Sequence, residues 1–321
     1  MRHVAGRLHC TLWLSLTLLL NAACDDETKR TDSDQDASTV TDASHTDAGH
    51  TDAASPSNLT PGHGRFPAID EPSAAGPFAP ITVEDTGPDG VYTLFRPEQL
   101  AADGTRNPVV TWGNGGFTTP ADYPLLPHLA SHGFVVIAAN NTLVTGPEVR
   151  AGLDWIAAQA QDEASDLFEK LDLEHVAGLG YSNGGLATLS TADDERYDTL
   201  VIISGATMNE TARSQSVPKI HTPTAFLCTD DDASENNCAG DYAAIDQPAF
   251  FGVMNGSVHT SVTTFASLGE PEIMTRLAGA ATAWLRWQLM DDQSFKATFI
   301  GDDCGLCQDE HWTVQPQKNL K

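Results

Sequence analysis

The sequence predicts an α/β fold with a mostly parallel central sheet flanked by helices, and three features support this prediction. From residue 66 onward, short apolar runs alternate with amphipathic stretches, which is typical of strands that alternate with helices. The segment 134–138, Phe-Val-Val-Ile-Ala, is apolar throughout, as expected of a central strand that is buried on both faces. The chain has 321 residues, 40% of them hydrophobic, and residues 66–321 have the length of a single domain.

The elements follow one another in a regular order along this domain. Short apolar runs predict strands over residues 81–84, 91–95, 108–112, 134–138, 175–179, 200–203, 224–228 and 250–254. Amphipathic stretches predict helices over residues 123–131, 148–158, 185–192 and 272–290. No large insertion separates the strand at 200–203 from the strand at 224–228, so we expect a domain without a large lid.

Residues 1–23 form a predicted export signal. Arg2 and Arg7 precede an apolar stretch at residues 11–20, and this stretch is shorter than the roughly 20 residues that span a bilayer. A buried N-terminal helix is the alternative, but the polar segment that follows at once argues against it. We therefore expect the protein to be exported.

Cys24 is the predicted lipidation site. The segment 21–24, Asn-Ala-Ala-Cys, resembles a bacterial lipoprotein box, although Leu20 lies one position further from the cysteine than the leucine of that box. Ordinary cleavage after Ala22 or Ala23 is the alternative. Lipidation would make the protein a membrane-anchored lipoprotein, whereas ordinary cleavage would release it as a secreted protein.

Residues 24–65 are a predicted disordered linker. They are rich in Asp, Thr, Ser and Ala, with a tandem repeat at residues 41–55, and such a segment buries too little apolar surface to offset the entropy of ordering. His45 and His50 within the repeat suggest a metal site, but a solvated spacer is the favoured interpretation.

Four cysteines lie in the predicted domain, and export would bring them into an oxidising compartment where disulfides form. Four cysteines allow three pairings. Their short spacings favour two local bridges, Cys228 with Cys238 and Cys304 with Cys307.

The segment 180–184, Gly-Tyr-Ser-Asn-Gly, matches the G-x-S-x-G pattern that places a nucleophilic serine on a sharp turn between a strand and a helix. It follows the predicted strand at 175–179 and precedes the helix at 185–192, which is the context that the pattern requires. A glycine-rich structural turn is the alternative. The match predicts the α/β-hydrolase fold, with Ser182 as the nucleophile.

A nucleophilic serine needs a histidine base and a carboxylate, which in this fold follow it in the order acid, then histidine. His259, after the strand at 250–254, has the expected place. The acid is expected after the strand at 224–228, where Asp230, Asp231 and Asp232 occur in sequence; a calcium site is the alternative use of these carboxylates.

The oxyanion of an acyl-transfer reaction needs backbone N–H donors. The amide of Asn183, directly after the nucleophile, is one predicted donor. The other comes from the glycine-rich loop at residues 113–117, where we expect the amide of Phe117 to serve.

These motifs together resemble the bacterial polyester hydrolases, which include cutinases, poly(ethylene terephthalate) hydrolases and chlorophyllase-like relatives. The resembling segments are residues 116–118, 129–137, 180–185, 223–232 and 255–259. The resemblance implies a triad of Ser182, His259 and an aspartate. Counting from Pro223 makes that aspartate Asp232, which we prefer, and counting from Cys228 makes it Asp231.

The resemblance also implies the substrate-binding residues Phe117, Tyr181 and Met208. Tyr181 departs from the tryptophan or histidine that several of these enzymes have before the serine, and Met208 lies near the place of a missing groove tryptophan. Weak activity on aromatic polyesters is the expected result. The second cysteine pair, Cys304 and Cys307, also differs from the usual bridge and is interpreted as a structural clip.

The sequence thus predicts an exported serine carboxylic ester hydrolase that acts on short-chain esters and aliphatic polyesters, as a monomer without cofactor or metal. A net charge of -27 argues against a nucleic-acid partner, and membrane contact is expected only through the lipid anchor. A non-catalytic ligand-binding lipoprotein and a serine peptidase are the alternatives. A serine-directed phosphonate should label a serine hydrolase but not a ligand-binding lipoprotein without catalytic activity.

Overall fold

A computed structural model describes residues 66–321 except 102–103 and 232–236. The predicted export signal, the lipidation site Cys24 and the predicted linker at 24–65 lie outside these residues, as does Asp232. None of the helices in the described part of the chain is both long and apolar enough to cross a membrane.

One sheet of nine strands forms the centre of the described part of the chain. The strands are β1 (Pro80–Thr86), β2 (Tyr92–Pro97), β3 (Asn107–Gly113), β4 (Val135–Ala139), β5 (Leu171–Tyr181), β6 (Tyr197–Ile203), β7 (Thr224–Thr229), β8 (Ala249–Met254) and β9 (Trp312–Val314). Their order across the sheet is β1-β2-β4-β3-β5-β6-β7-β8-β9. The strands from β4 to β8 in this order pair in parallel, and the outer strands pair antiparallel. The predicted mostly parallel sheet is confirmed.

The helices of the described residues are α1 (Leu125–Ser131), α2 (Gly146–Gln159), α3 (Asn183–Ser190), α4 (Glu210–Ser216), α5 (Asn237–Ala244), α6 (Pro271–Met290) and α7 (Gly305–Gln308). Helices α1 and α6 contribute to the apolar core on one face of the sheet. Helices α2 and α3 contribute to the core on the other face. A sheet covered on both faces explains why its parallel strands contain continuous apolar runs, such as Val135–Ala139 in β4.

Every predicted strand and helix overlaps an observed one, but β9, α4, α5 and α7 were not predicted. These elements are short, and a strand of three residues shows no alternation that a sequence pattern can reveal. Strand β9 forms by pairing antiparallel with β8, where Trp312 lies opposite Met254. It therefore completes the sheet at that edge.

The segment before β1 is held against α1 and α6 by three buried or half-buried side chains. His128 donates from Nε2 to the carbonyl of Pro72 at 2.9 Å, and His132 donates to that of Ala74 at 3.0 Å. On α6, Arg286 donates to the carbonyl of Pro67 at 2.9 Å. Backbone carbonyls of an irregular segment are thus satisfied by side chains of the domain.

Candidate active site

Ser182 lies on the turn between the end of β5 and the start of α3. Its backbone has φ 53 and ψ -119, a conformation that side-chain-bearing residues rarely adopt and that is often found at functional sites. The Ser182 amide donates to the carbonyl of Ile203 on β6 at 3.0 Å. The turn is therefore tied to the neighbouring strand and presents the serine at the N-terminus of a helix.

The glycines of the motif are required by close backbone contacts. A Cβ on Gly184 would lie 1.9 Å from the carbonyl oxygen of Gly113 on β3. A Cβ on Gly180 would lie 2.2 Å from the carbonyl oxygen of Gly184. Any side chain at either position would force the strands and the helix apart. The G-x-S-x-G pattern thus reflects how tightly the turn packs on the sheet.

His259 contacts the predicted nucleophile. It begins the short 3₁₀ turn His259–Val262 that follows β8, and its Nε2 lies 2.8 Å from Oγ of Ser182. This is hydrogen-bond distance between a hydroxyl and an imidazole. The fold therefore brings together the two residues that the sequence placed 77 positions apart, in the arrangement of a nucleophile and its base.

Asp231 is bound to the backbone of the same histidine. Its Oδ2 accepts a hydrogen bond from the His259 amide at 2.9 Å, and its Oδ1 accepts one from the hydroxyl of Thr229 at 2.8 Å. These bonds fix the position of the histidine loop relative to β7. Asp232, the preferred acid of the triad, lies outside the described residues.

Asp230 makes a second connection between the same two loops. Its Oδ2 accepts from the amide of Gly256 at 3.0 Å, and its own amide donates to the hydroxyl of Ser257 at 3.2 Å. Among the described residues, no group of three or more His, Cys, Asp or Glu side chains is placed to hold a metal ion. The two bonds of Asp230 join the loop after β7 to the loop after β8.

Two disulfides have the pairing that the spacings favoured. Cys228 at the end of β7 is bonded to Cys238 in α5, and Cys304 is bonded to Cys307. Both cysteines of the first pair are fully buried. That disulfide links the two ends of the segment that contains Asp230, Asp231 and Asp232. The cross-link therefore restrains the loop in which the acid of the triad is predicted.

The two predicted oxyanion donors differ in their surroundings. Asn183 is the first residue of α3, where backbone amides have no partner within the helix and the helix dipole favours negative charge. The amide of Phe117 instead donates to the carbonyl of Thr142 at 2.7 Å. This bond joins the loop after β3 to the loop after β4, so the Phe117 amide has a backbone partner in this structure, and its role as an oxyanion donor stays a prediction.

The three predicted substrate-binding residues also differ from one another. Phe117 is 62% exposed and Met208 is 71% exposed, so both can contact a bound molecule. Tyr181 is only 3% exposed, and its hydroxyl donates to the backbone carbonyl of His259 at 2.6 Å. The ring of Tyr181 therefore offers almost no surface to a substrate, and its place in the groove stays a prediction.

Tyr123 is a residue near the site that sequence reasoning did not single out. Its hydroxyl accepts from the amide of Gly115 at 2.8 Å and is hydrogen-bonded to the hydroxyl of Thr118 at 2.5 Å. Burial raises the pKa of Tyr123 to about 12, so the hydroxyl keeps its proton at neutral pH. Tyr123 thus anchors the glycine-rich loop, a role for which an aromatic residue before a helix carries no sequence signal.

Asp241 is a second such residue. It is fully buried in α5, where it accepts from the amide of Thr207 at 2.7 Å and from Nε of Arg213 at 3.0 Å. A buried carboxylate is tolerated when it is paired and hydrogen-bonded in this way. These contacts hold the segment that carries Met208, which directly follows Thr207.

Comparison with known families identifies the chain. Residues 99–311, well over half of the sequence, match the model of the PET hydrolase-like family. The matched stretch contains the serine turn, the aspartate loop and the histidine loop. Comparison with curated proteins gave no match. The chain therefore belongs to the PET hydrolase-like family, and it is a serine ester hydrolase of the α/β-hydrolase superfamily.

Proposed function

We propose that this protein hydrolyses carboxylic esters by transferring the acyl group to Ser182, with His259 as general base and Asp232 as the carboxylate that orients the histidine. The observation that carries the proposal is the distance of 2.8 Å between Oγ of Ser182 and Nε2 of His259, on a strained strand–helix turn. Asp231 has both carboxylate oxygens engaged with Thr229 and the His259 amide. Each carboxylate oxygen has two lone pairs, so these bonds leave Asp231 as the alternative acid. Asp232 is preferred from the count of residues after Pro223.

The proposed reaction has two halves that use the same histidine. Nε2 of His259 accepts the hydroxyl proton as Oγ of Ser182 bonds to the ester carbonyl carbon, and the proton then passes to the departing alcohol as the C–O bond breaks. Water, deprotonated by His259, attacks the acyl-enzyme, and the proton returns to Oγ when the carboxylic acid leaves. Every proton transfer is served by side chains of this chain, so the scheme uses no cofactor.

Stabilisation of the tetrahedral intermediate is assigned to the amide of Asn183 at the start of α3. A donor of this kind contributes about 10²–10³ in rate. We propose Phe117 as the second donor, and its amide would then have to exchange its bond to the Thr142 carbonyl for one to the oxyanion. Phe117 has φ 68 and follows Gly115 and Gly116, and glycines are the residues that best allow the backbone change that this exchange needs.

The proposed substrates are uncharged esters with short acyl chains of about two to eight carbons, and aliphatic polyesters. Support comes from the large apolar side chains that are exposed in the described part of the chain, because all of them lie near the end of the sheet that carries Ser182: Val91, Phe117, Leu143, Met208, Val258, Phe265 and Leu268. Between β6 and β7 the chain forms only α4 and a 3₁₀ turn, so no large lid separates these side chains from a polymer. Weak activity on aromatic polyesters is expected.

Kinetics on p-nitrophenyl esters from acetate to palmitate test this proposal. Ser182→Ala and His259→Ala are each expected to lower kcat by about 10⁶, and only proteins with an intact Ser182 should be labelled by a serine-directed phosphonate. Ser190→Ala, on the exposed side of the same helix, and His311→Ala, at the surface, are the matched controls and should retain activity. Substantial activity in the Ser182 or His259 variant, or a preference for palmitate with interfacial activation, would contradict the proposal.

We further propose that the protein is exported, with residues 1–23 as its signal and Cys24 as a lipidated first residue. Acyl chains contribute about 0.8 kcal/mol per buried CH₂, so a lipidated protein should sediment with membranes. Cys24→Ser should then release it into the soluble fraction. A wild-type protein that is already soluble after export would indicate ordinary cleavage instead.

A further inference from the structure

Tyr181 makes two contacts with His259 and almost none with solvent. Its hydroxyl donates to the backbone carbonyl of His259 at 2.6 Å. Its ring lies 5.1 Å from the imidazole between centroids, tilted by 31°. The residue is 3% exposed. The tyrosine therefore contacts both the backbone and the ring of the proposed base, and its place directly before Ser182 puts it at the end of β5.

The glycine-rich loop at residues 113–117 covers the other side of the Tyr181 ring. A Cβ on Gly115 would lie 2.7 Å from Cδ1 of the Tyr181 ring and 2.9 Å from the hydroxyl of Tyr123, so the glycine allows the loop to rest directly on the two tyrosines. The rings of Tyr123 and Tyr181 pack edge-on, with centroids 5.8 Å apart. The glycine-rich loop thus contacts Tyr123, the Tyr123 ring packs on Tyr181, and the Tyr181 ring packs on His259.

We propose that Tyr181 is a positioning residue for His259 and has no direct part in substrate binding. The proposal rests on the function proposed above, in which His259 is the base. Proton transfer requires Nε2 to stay within hydrogen-bond distance of Oγ. The hydroxyl of Tyr181 binds the backbone carbonyl of His259, and Asp231 accepts a hydrogen bond from the backbone amide of the same residue. The ring of Tyr181 limits rotation of the imidazole.

This role predicts a specific kinetic signature. A residue that lines the groove binds substrate in the ground state and affects KM, whereas a residue that aligns the base affects kcat. Tyr181→Phe removes the hydroxyl but keeps the ring, and we expect kcat to fall about tenfold with KM for a small ester unchanged. Tyr181→Ala also removes the ring and should lower kcat by about a hundredfold or more.

Tyr197→Phe is the matched control. Tyr197 is a buried tyrosine at the start of β6, at the opposite end of that strand from the site, and its hydroxyl lies 3.0 Å from that of Thr111. The control variant should lose stability to a similar extent as Tyr181→Phe, measured by urea unfolding, and keep the wild-type kcat. Comparison of the two variants separates a loss of fold stability from a loss of alignment.

The experiment measures kcat and KM for p-nitrophenyl butyrate and the rate of phosphonate labelling for wild type, Tyr181→Phe, Tyr181→Trp and Tyr197→Phe. Tyr181→Trp restores a ring N–H donor and should recover part of the labelling rate lost in Tyr181→Phe. An increase in KM with unchanged kcat would overturn the proposal in favour of a groove wall, and kinetics equal to those of Tyr197→Phe would reduce Tyr181 to a core residue. If His259→Ala is active, the proposed function fails instead, and the two failures are distinguishable.

Discussion

Replacing His132 by glutamine is expected to make the protein more resistant to acid. His132 is fully buried, donates from Nε2 to the carbonyl of Ala74 at 3.0 Å, and its Nδ1 has no hydrogen-bond partner among the described residues. Burial, followed by the neighbouring His128, lowers the pKa of His132 from 6.5 to about 4. Protonation of Nδ1 would place a charge beside His128 and Arg286 with no acceptor to bind it.

The size of the effect follows from this difference in pKa. Since the folded pKa lies below the unfolded one, the unfolded chain binds a proton between pH 6.5 and about 4 that the folded protein excludes. The contribution of the neutral His132 to the free energy of unfolding is complete above the unfolded pKa and is lost as the pH falls through this range. Between about pH 7 and about pH 4.5 the loss amounts to about 2.5 kcal/mol.

Urea unfolding at these two pH values measures the effect. Wild type should lose about 2.5 kcal/mol more than His132→Gln between them, since glutamine keeps a donor toward Ala74 but does not titrate. His311→Gln removes an exposed histidine and is the control for the loss of one imidazole. If His132→Gln loses as much stability as wild type, the buried histidine does not cause the acid sensitivity.

Three further predictions concern the site itself. Asp232→Asn should lower kcat/KM for p-nitrophenyl butyrate by about 10⁴ while Asp231→Asn should stay within about tenfold of wild type; the reverse order would identify Asp231 as the acid. The double variant Cys228→Ala with Cys238→Ala should lower the free energy of unfolding by about 2–3 kcal/mol in urea, and an unchanged value would show that the disulfide does not restrain the loop. Gly184→Ala should destabilise the protein by about 3 kcal/mol or more in thermal unfolding, because its Cβ would lie 1.9 Å from a β3 carbonyl oxygen; a wild-type melting temperature would refute that contact.

The parts of the site that local sequence patterns encode were predictable. The turn at Ser182 combines an apolar strand, glycines and a following helix within a dozen residues, and each of these signals is local. The place of His259 followed from chain order and from the strand before it. Their distance of 2.8 Å is a consequence of the parallel strand order, which brings the ends of β5 and β8 to the same edge of the sheet.

The parts that depend on contacts between distant segments were not predictable. The position of Tyr181 before the nucleophile suggests a groove residue, but its burial depends on Gly115 and Tyr123 packing over the ring. The bond from the Phe117 amide to the Thr142 carbonyl joins two backbone groups, and backbone bonds of this kind leave no trace in residue type. Asp241 resembles a surface residue of an amphipathic helix until Thr207 and Arg213 are known to lie beside it.

Strand β9 has a consequence for solubility. Strand β8, Ala249–Met254, reads Ala-Phe-Phe-Gly-Val-Met and is buried along its whole length; β9 pairs with its second half, and Lys318 exchanges backbone hydrogen bonds with Ala249 at its start. Without these partners, β8 would expose an uncharged, aromatic-rich edge with unpaired amides and carbonyls, which is the kind of template on which other chains add as strands. The C-terminal segment thus covers the edge of the sheet on which other chains would pair. Removal of the residues after 311 should therefore cause self-association of the protein at a stage when Ser182 is still active.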